Sequence, residues 1–211
     1  MKTRSRALGL TVGPVVGCAG WAIGCEEAQA HLVTTGLGPV YDGVAHFAVS
    51  PEDLIPVVGL AVLAALRGPA HGRSMLFTLP VFWLLGGLAG QLTGAQMSEL
   101  LPALCLLVVG GAVACDAPLL RWTAVVVTAL VAAGLGYSDG TALPAGGNGV
   151  LILLGIAAAV FTVFALCVGL VLPLQSRLSR IAMRVSGSWI AASGLLLLGW
   201  YLRSGLRLGA G

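Results

Sequence analysis

The sequence predicts an all-α fold, a polytopic transmembrane helical bundle of about six helices following a cleaved signal peptide at residues 1–30, with a single membrane domain over 31–211. Three observations carry this. Hydrophobic residues make up 58% of the chain and charged residues only 9%, a balance that a soluble core does not need. Apolar stretches near the length of a bilayer crossing recur from end to end. Those stretches are continuous and rich in Leu, Ala, Val and Gly, whereas a membrane β-barrel shows short segments of alternating polarity.

The first thirty residues have a basic start (Lys2, Arg4, Arg6), an apolar stretch from Ala7 to about Gly24, and Ala28-Gln29-Ala30, the small residues a signal peptidase prefers. Cleavage there makes His31 the mature N-terminus, outside the cytoplasm. Two alternatives compete: a lipoprotein signal, since Val15-Val16-Gly17-Cys18 is similar to a lipobox, and an uncleaved helix. Cys18 and Cys25 leave with such a leader. Cys105, Cys115 and Cys167 fall in or at the ends of apolar helices without CxxC spacing, so neither a disulfide framework nor a zinc knuckle follows.

Six spans follow in order: roughly Pro51 to Leu66, Ser74 to Leu92, Ser98 to Ala114, Leu120 to Gly136, Val150 to Leu172, and Ser188 to Leu202. With the mature N-terminus outside, the loops holding Arg67, Arg73, Arg121, Arg177, Arg180 and Arg184 face the cytoplasm, as the positive-inside rule requires, and only Arg203 and Arg207 oppose it. The chain is thereby expected in a bacterial-type inner (plasma) membrane, with the lipid bilayer as its first partner. The acids Asp42, Glu52, Asp53, Glu99 and Asp139 all fall on the opposite side from those arginines, leaving Asp116 among them. The formal charge of +3 comes largely from the loop arginines and the leader. No basic stripe interleaved with aromatics supports nucleic-acid binding.

Gly86, Gly90 and Gly94, and again Ala132 and Gly136, repeat small residues at four-residue spacing, which lets helix backbones approach closely in lipid. They are assigned to packing. Weak internal similarity links Gly36-Leu-Gly-Pro-Val-Tyr-Asp-Gly-Val-Ala-His46 to Gly134-Leu-Gly-Tyr-Ser-Asp-Gly-Thr-Ala-Leu143, an echo of the kind seen between transporter halves and also of the kind that chance produces in a Gly- and Ala-rich chain.

The chemistry-bearing residues gather between Gly36 and Leu54, where Asp42, Glu52 and Asp53 supply half of the acids that follow residue 30 and stand beside His46. Ionisable groups next to or inside a bilayer are costly, so their clustering demands a reason. Ser50-Pro51-Glu52-Asp53 reads as a helix start, with Ser50 as N-cap, Pro51 at the first helical position and acids near the positive end of the dipole. Pro56, lacking an N–H, frees the carbonyl of Glu52. Capping accounts for Glu52 and Asp53 but leaves His46 and Asp42, four residues apart and on one face of any short preceding helix.

His46 with Asp42, Glu52 or Asp53 forms a nitrogen-and-oxygen ligand set suited to nickel, cobalt or zinc rather than to a soft thiolate-selected ion. A hydrogen-bonded structural histidine is the alternative. His31, as a free terminus, adds an amine and an imidazole. Asp139 and Asn148, in the Gly- and Pro-rich loop Tyr137 to Gly149, are placed to complete the set or to form Asp-Gly and Asn-Gly turns. Gln91 and Glu99 are weaker candidates, and His71 beside Arg73 reads as solvated. No nucleophile elbow, P-loop, dinucleotide fingerprint or HExxH occurs, so no enzymatic activity is expected.

The order of a leader ending in Ala30-His31, the Gly36–His46 stretch, Ser50-Pro-Glu-Asp-Leu54 and Gly187-Ser-Trp-Ile-Ala-Ala192 resembles the HupE/UreJ group of hydrogenase/urease accessory membrane proteins over most of the mature chain. That resemblance implies a permease-type protein for nickel or cobalt, the ion being the transported ligand with no tightly bound cofactor. Its alternative is a non-transporting accessory protein that holds a metalloenzyme or its maturation factors. The group's first-helix signature pairs a histidine with an Asp-His dyad after a short spacer. His46 and Asp53 match it in part, Leu54 stands where the second histidine would be, and Tyr137-Ser-Asp-Gly140 replaces a second-half His-Gly motif.

Overall fold

A computed structural model describes residues 34–98, 100–144, 146–174 and 176–208. Among them are seven helices and no strand: α1 Pro39–Val49, α2 Pro51–Arg67, α3 Pro69–Thr93, α4 Leu100–Ala114, α5 Arg121–Ala142, α6 Gly147–Val171 and α7 Arg177–Leu208. The all-helical expectation holds. The leader and its cleavage site lie outside the described residues.

Four helices, α3, α5, α6 and α7, are long and apolar enough to cross a bilayer. A fifth crossing exists if α1 and α2, which meet at a bend of 76°, count as one broken span. At 15 residues, α4 rises only about 22 Å against a hydrocarbon core of about 30 Å.

Each of the six expected spans overlaps one of the helices α2 to α7, but three boundaries move in a way that matters. The chain is already helical at Pro39, before the first expected span. Helix α5 continues six residues past Gly136 and takes in Asp139, and α7 begins at Arg177 rather than Ser188. Hydropathy marks where a helix is apolar, while the backbone ladder continues into polar sequence as long as the side chains there find partners. Those of α7 do: Arg180 reaches Asp116, and Arg184 donates to the Ala114 carbonyl at 3.0 Å.

The core is drawn mainly from α2, α3, α4, α5 and α6, with Phe47 added from α1 and Met183 from α7; Leu60, Leu63, Leu79, Trp83, Val109, Leu135, Ile156 and Phe164 are fully or nearly fully enclosed. In lipid, apolar side chains gain little by leaving one hydrocarbon surface for another, so close van der Waals packing carries the association. The small residues supply it. A Cβ on Gly86 would meet the Ala133 carbonyl, one on Gly136 the Trp83 carbonyl, one on Gly90 the Tyr137 carbonyl and one on Gly140 the Gly87 carbonyl, so α3 and α5 touch backbone to backbone over more than two turns. Gly94 departs from that pattern, since it ends α3 in the left-handed region at φ 59° with open space around it. A second close contact seats α1 on α6, where Gly43 faces the Ile152 carbonyl and Gly155 faces the Val40 carbonyl.

Candidate metal centre

The break between α1 and α2 builds the centre. The Ser50 N–H donates to the His46 carbonyl and closes α1, while the Ser50 carbonyl accepts from the N–H groups of Asp53 and Leu54 and opens α2. Pro51 occupies the first helical position, where its missing N–H costs nothing. Ser50 stands at the N-cap position as expected, although its side chain makes no capping hydrogen bond. In one straight helix, residues seven apart lie about 10 Å apart along the axis. The bend instead folds Asp53 back toward His46.

From the last turn of α5, Asp139 joins them. One ligand atom from each of His46, Asp53 and Asp139 lies within 4.8 Å of the others, and all three residues are buried, at 7%, 4% and 7% exposure. The His46 Nε2 and Asp139 Oδ1 atoms stand 3.6 Å apart, too far for a hydrogen bond. Two ligands at about 2.1 Å from a shared ion sit roughly 3–4 Å apart, so this spacing admits one. Asp139 is oriented by α3: the Trp83 indole N–H donates to its Oδ2 at 2.8 Å, and Phe47 stacks edge-on against that indole at 6.1 Å. The Asp53 carboxylate accepts no hydrogen bond from the described residues. Two buried carboxylates with one indole donor between them are uncompensated until a cation, proton or metal, joins them.

Of the sequence candidates, the structure thus unites His46, Asp53 and Asp139. The expected loop position of Asp139 is corrected: it lies inside α5, because the close α3–α5 contact extends the helix to Ala142. Asp42 lies apart from the three, half-exposed, its Oδ1 held by the Thr35 N–H at 2.6 Å and the Thr35 hydroxyl at 2.7 Å. Glu52 is exposed on the rim of a cavity, and Asn148 is exposed in the first turn of α6. His31 and Glu99 lie outside the described residues. His71 is in the first turn of α3 rather than in a solvated loop, with a Nε2 that is buried and has no partner among the described residues. Trp83 was not singled out in the sequence, and the only signal for it was that a buried indole N–H needs an acceptor.

The internal echo acquires a structural meaning. Both Asp-Gly pairs, Asp42-Gly43 and Asp139-Gly140, seat the glycine against the backbone of a neighbouring helix, but only the second turns its acid into the interior.

The family described as HupE / UreJ protein matches residues 10–197. The chain belongs to the HupE/UreJ family. No curated protein and no solved structure matches it. Leu54 lines an apolar cavity with Val44, Phe47, Ala48 and Ala158 and packs against the core.

Proposed function

We propose that this HupE/UreJ protein is a permease for a divalent transition-metal ion, nickel or cobalt, carried as substrate through a buried site made of His46, Asp53 and Asp139. The observation that carries this reading is the convergence of those three side chains from α1, α2 and α5 at one enclosed point. A neutral imidazole and two carboxylates total two negative charges, which one divalent ion neutralises. The imidazole nitrogen favours first-row transition metals over magnesium and calcium, and the absence of sulfur from the set disfavours copper(I). In this reading the acidic end faces outward and the arginines of α5, α7 and the neighbouring turns face the cytoplasm, giving six crossings with α4 among them.

The ion is received in exchange for water, and His46 binds it only in its neutral form, because a protonated Nε2 has no lone pair to offer. Uptake therefore falls on acidification. Nickel or cobalt uptake into vesicles holding the full chain tests the reading: His46→Ala and Asp139→Asn abolish saturable uptake at matched membrane levels, and His71→Ala leaves it intact. Wild-type rates in His46→Ala would refute the assignment.

One observation favours the other reading, an accessory protein that binds metal for a hydrogenase or urease partner without transporting it. Between the cluster and the arginine-bearing end, Val57, Leu60 and Leu63 of α2 and Val109 and Val113 of α4 are fully enclosed, so no polar path continues through these helices. Metal bound stoichiometrically by the purified protein, with no uptake into vesicles, would decide for it.

A further inference from the structure

At the acidic end a cavity of about 620 Å³ lies between the first turn of α2, the start of α4, the last turns of α5 and the outer half of α7. Its polar lining comes from Glu52, Ser98, Ser138, Ser193 and Tyr201, and among the described residues Glu52 is the charged one in that lining. Glu52 and Ser138 immediately precede Asp53 and Asp139. The cavity wall and the buried cluster are therefore built from the same two helical turns, with adjacent side chains turned outward into the cavity and inward to the cluster.

We propose that this cavity is a vestibule in which Glu52 holds a hydrated divalent cation before it exchanges water for His46, Asp53 and Asp139. The proposal rests on the metal reading above. Each water occupies about 30 Å³, so an ion with roughly six first-shell waters needs on the order of 200 Å³, which the cavity exceeds. An exposed carboxylate in a wet cavity attracts the ion while leaving its shell intact; the enclosed cluster, with its imidazole, is where the shell is replaced. Helix capping alone does not account for the arrangement, since Asp53 already places an acid in the first turn of α2.

Two other cavities lack this character. One, against α1 and α6, is lined by apolar side chains apart from Thr162, whose hydroxyl is occupied by the Ala158 carbonyl, and the other, between α4 and α5, is lined by Leu101, Leu104, Val108, Val127 and their apolar neighbours. Both read as lipid-facing grooves.

The full chain reconstituted in liposomes tests this with nickel as the probe. Glu52→Gln raises the half-saturating nickel concentration about tenfold at low ionic strength with the maximal rate kept, and the difference shrinks at high salt; Glu52→Asp restores it. A metal-free arm uses a background in which all five cysteines, Cys18, Cys25, Cys105, Cys115 and Cys167, are alanine: Ser138→Cys reacts with a charged thiol reagent, and Ala158→Cys, in an apolar groove, does not. Unchanged half-saturation in Glu52→Gln at low salt, or an unreactive Ser138→Cys variant, overturns the vestibule. A reactive Ser138→Cys variant in a protein that neither binds nor takes up divalent metal overturns the metal reading instead, and the vestibule's cation role with it.

Discussion

The Asp139 carboxylate divides its two oxygens between two tasks, Oδ2 accepting a hydrogen bond from the Trp83 indole N–H and Oδ1 facing His46. Removing only that donor isolates the orienting role, because outer hydrogen bonds that fix a ligand commonly govern 10–100-fold in metal affinity. Trp83→Phe keeps most of the ring that Phe47 packs against and is expected to weaken cobalt or nickel binding by about that factor, read by calorimetry on purified protein. Unchanged affinity would make the indole a packing residue only. Asp53 carries both a first-turn position in α2 and a place in the cluster, so Asp53→Asn separates charge from polarity: the variant is expected to insert and fold normally while metal affinity drops. An unchanged affinity would confine Asp53 to the helix start. At this scale His46 and Asp53 were legible because histidine and acids stand out against an apolar background. Trp83 was not, since an indole in an apolar span is ordinary until its acceptor is located.

The break at Ser50-Pro51 and the α3–α5 seam are the two features of the helices that bring His46, Asp53 and Asp139 together. The seam is intolerant of bulk. A Cβ at Gly140 would run into the Gly87 carbonyl, and one at Gly136 into that of Trp83, whereas a Cβ at Gly111 in α4 meets open space. Gly136→Ala or Gly140→Ala is expected to destabilise the protein by about 1–3 kcal/mol through overpacking, seen as a lower midpoint in thermal unfolding of the detergent-solubilised protein. Gly111→Ala should match or exceed wild type, because alanine is the better helix former. Equal midpoints for all three would mean that the seam relaxes freely. The small-residue spacing announced a seam of this kind from the sequence, but not its partner helix or its continuation to Gly140.

Taken together, the described residues are polarised, with His46, Asp53, Asp139 and Glu52 toward one end and an arginine cluster at the other. There Asp116, at a positive φ of 49° between α4 and α5, accepts from both Arg67 of α2 and Arg180 of α7 and so ties three parts of the chain together. Arg67 and Asp116 are largely enclosed, while Arg180 is half-exposed. Asp116→Ala leaves two cations without their carboxylate partner, although Arg67 keeps the residue-116 carbonyl as an acceptor, and is expected to cost about 1–3 kcal/mol, with Asp116→Asn milder because it keeps an oxygen and tolerates the left-handed backbone. Thermal unfolding checks both, and an alanine variant as stable as wild type would remove the tie from the account. The arginine asymmetry also predicts sidedness: single cysteines placed beside Arg121 and Arg184 should be shielded from an impermeant reagent in intact cells and exposed in inverted vesicles. Labelling in intact cells would reverse the topology.

What the sequence determined by itself was the solvent and the elements. Composition and run length specify helices in a bilayer because every buried backbone polar group must be satisfied within its own segment, and the segregation of Arg from Asp and Glu along the chain foretells two unlike ends. It also pointed to His46 and Asp53, through the cost of placing ionisable groups beside an apolar run. Only the tertiary structure decided which of the candidate acids joins them. Asp42, four residues from His46, is drawn off by Thr35, and Asp139, more than ninety residues away, is brought in. The physical reason is that a ligand set is a matter of a few ångströms between separate helices. The bend at Ser50-Pro51 and the closeness of the α3–α5 seam set those distances; the bend is local, but the seat of α1 on α6 and the seam are contacts between elements that the sequence around no single one of these side chains specifies.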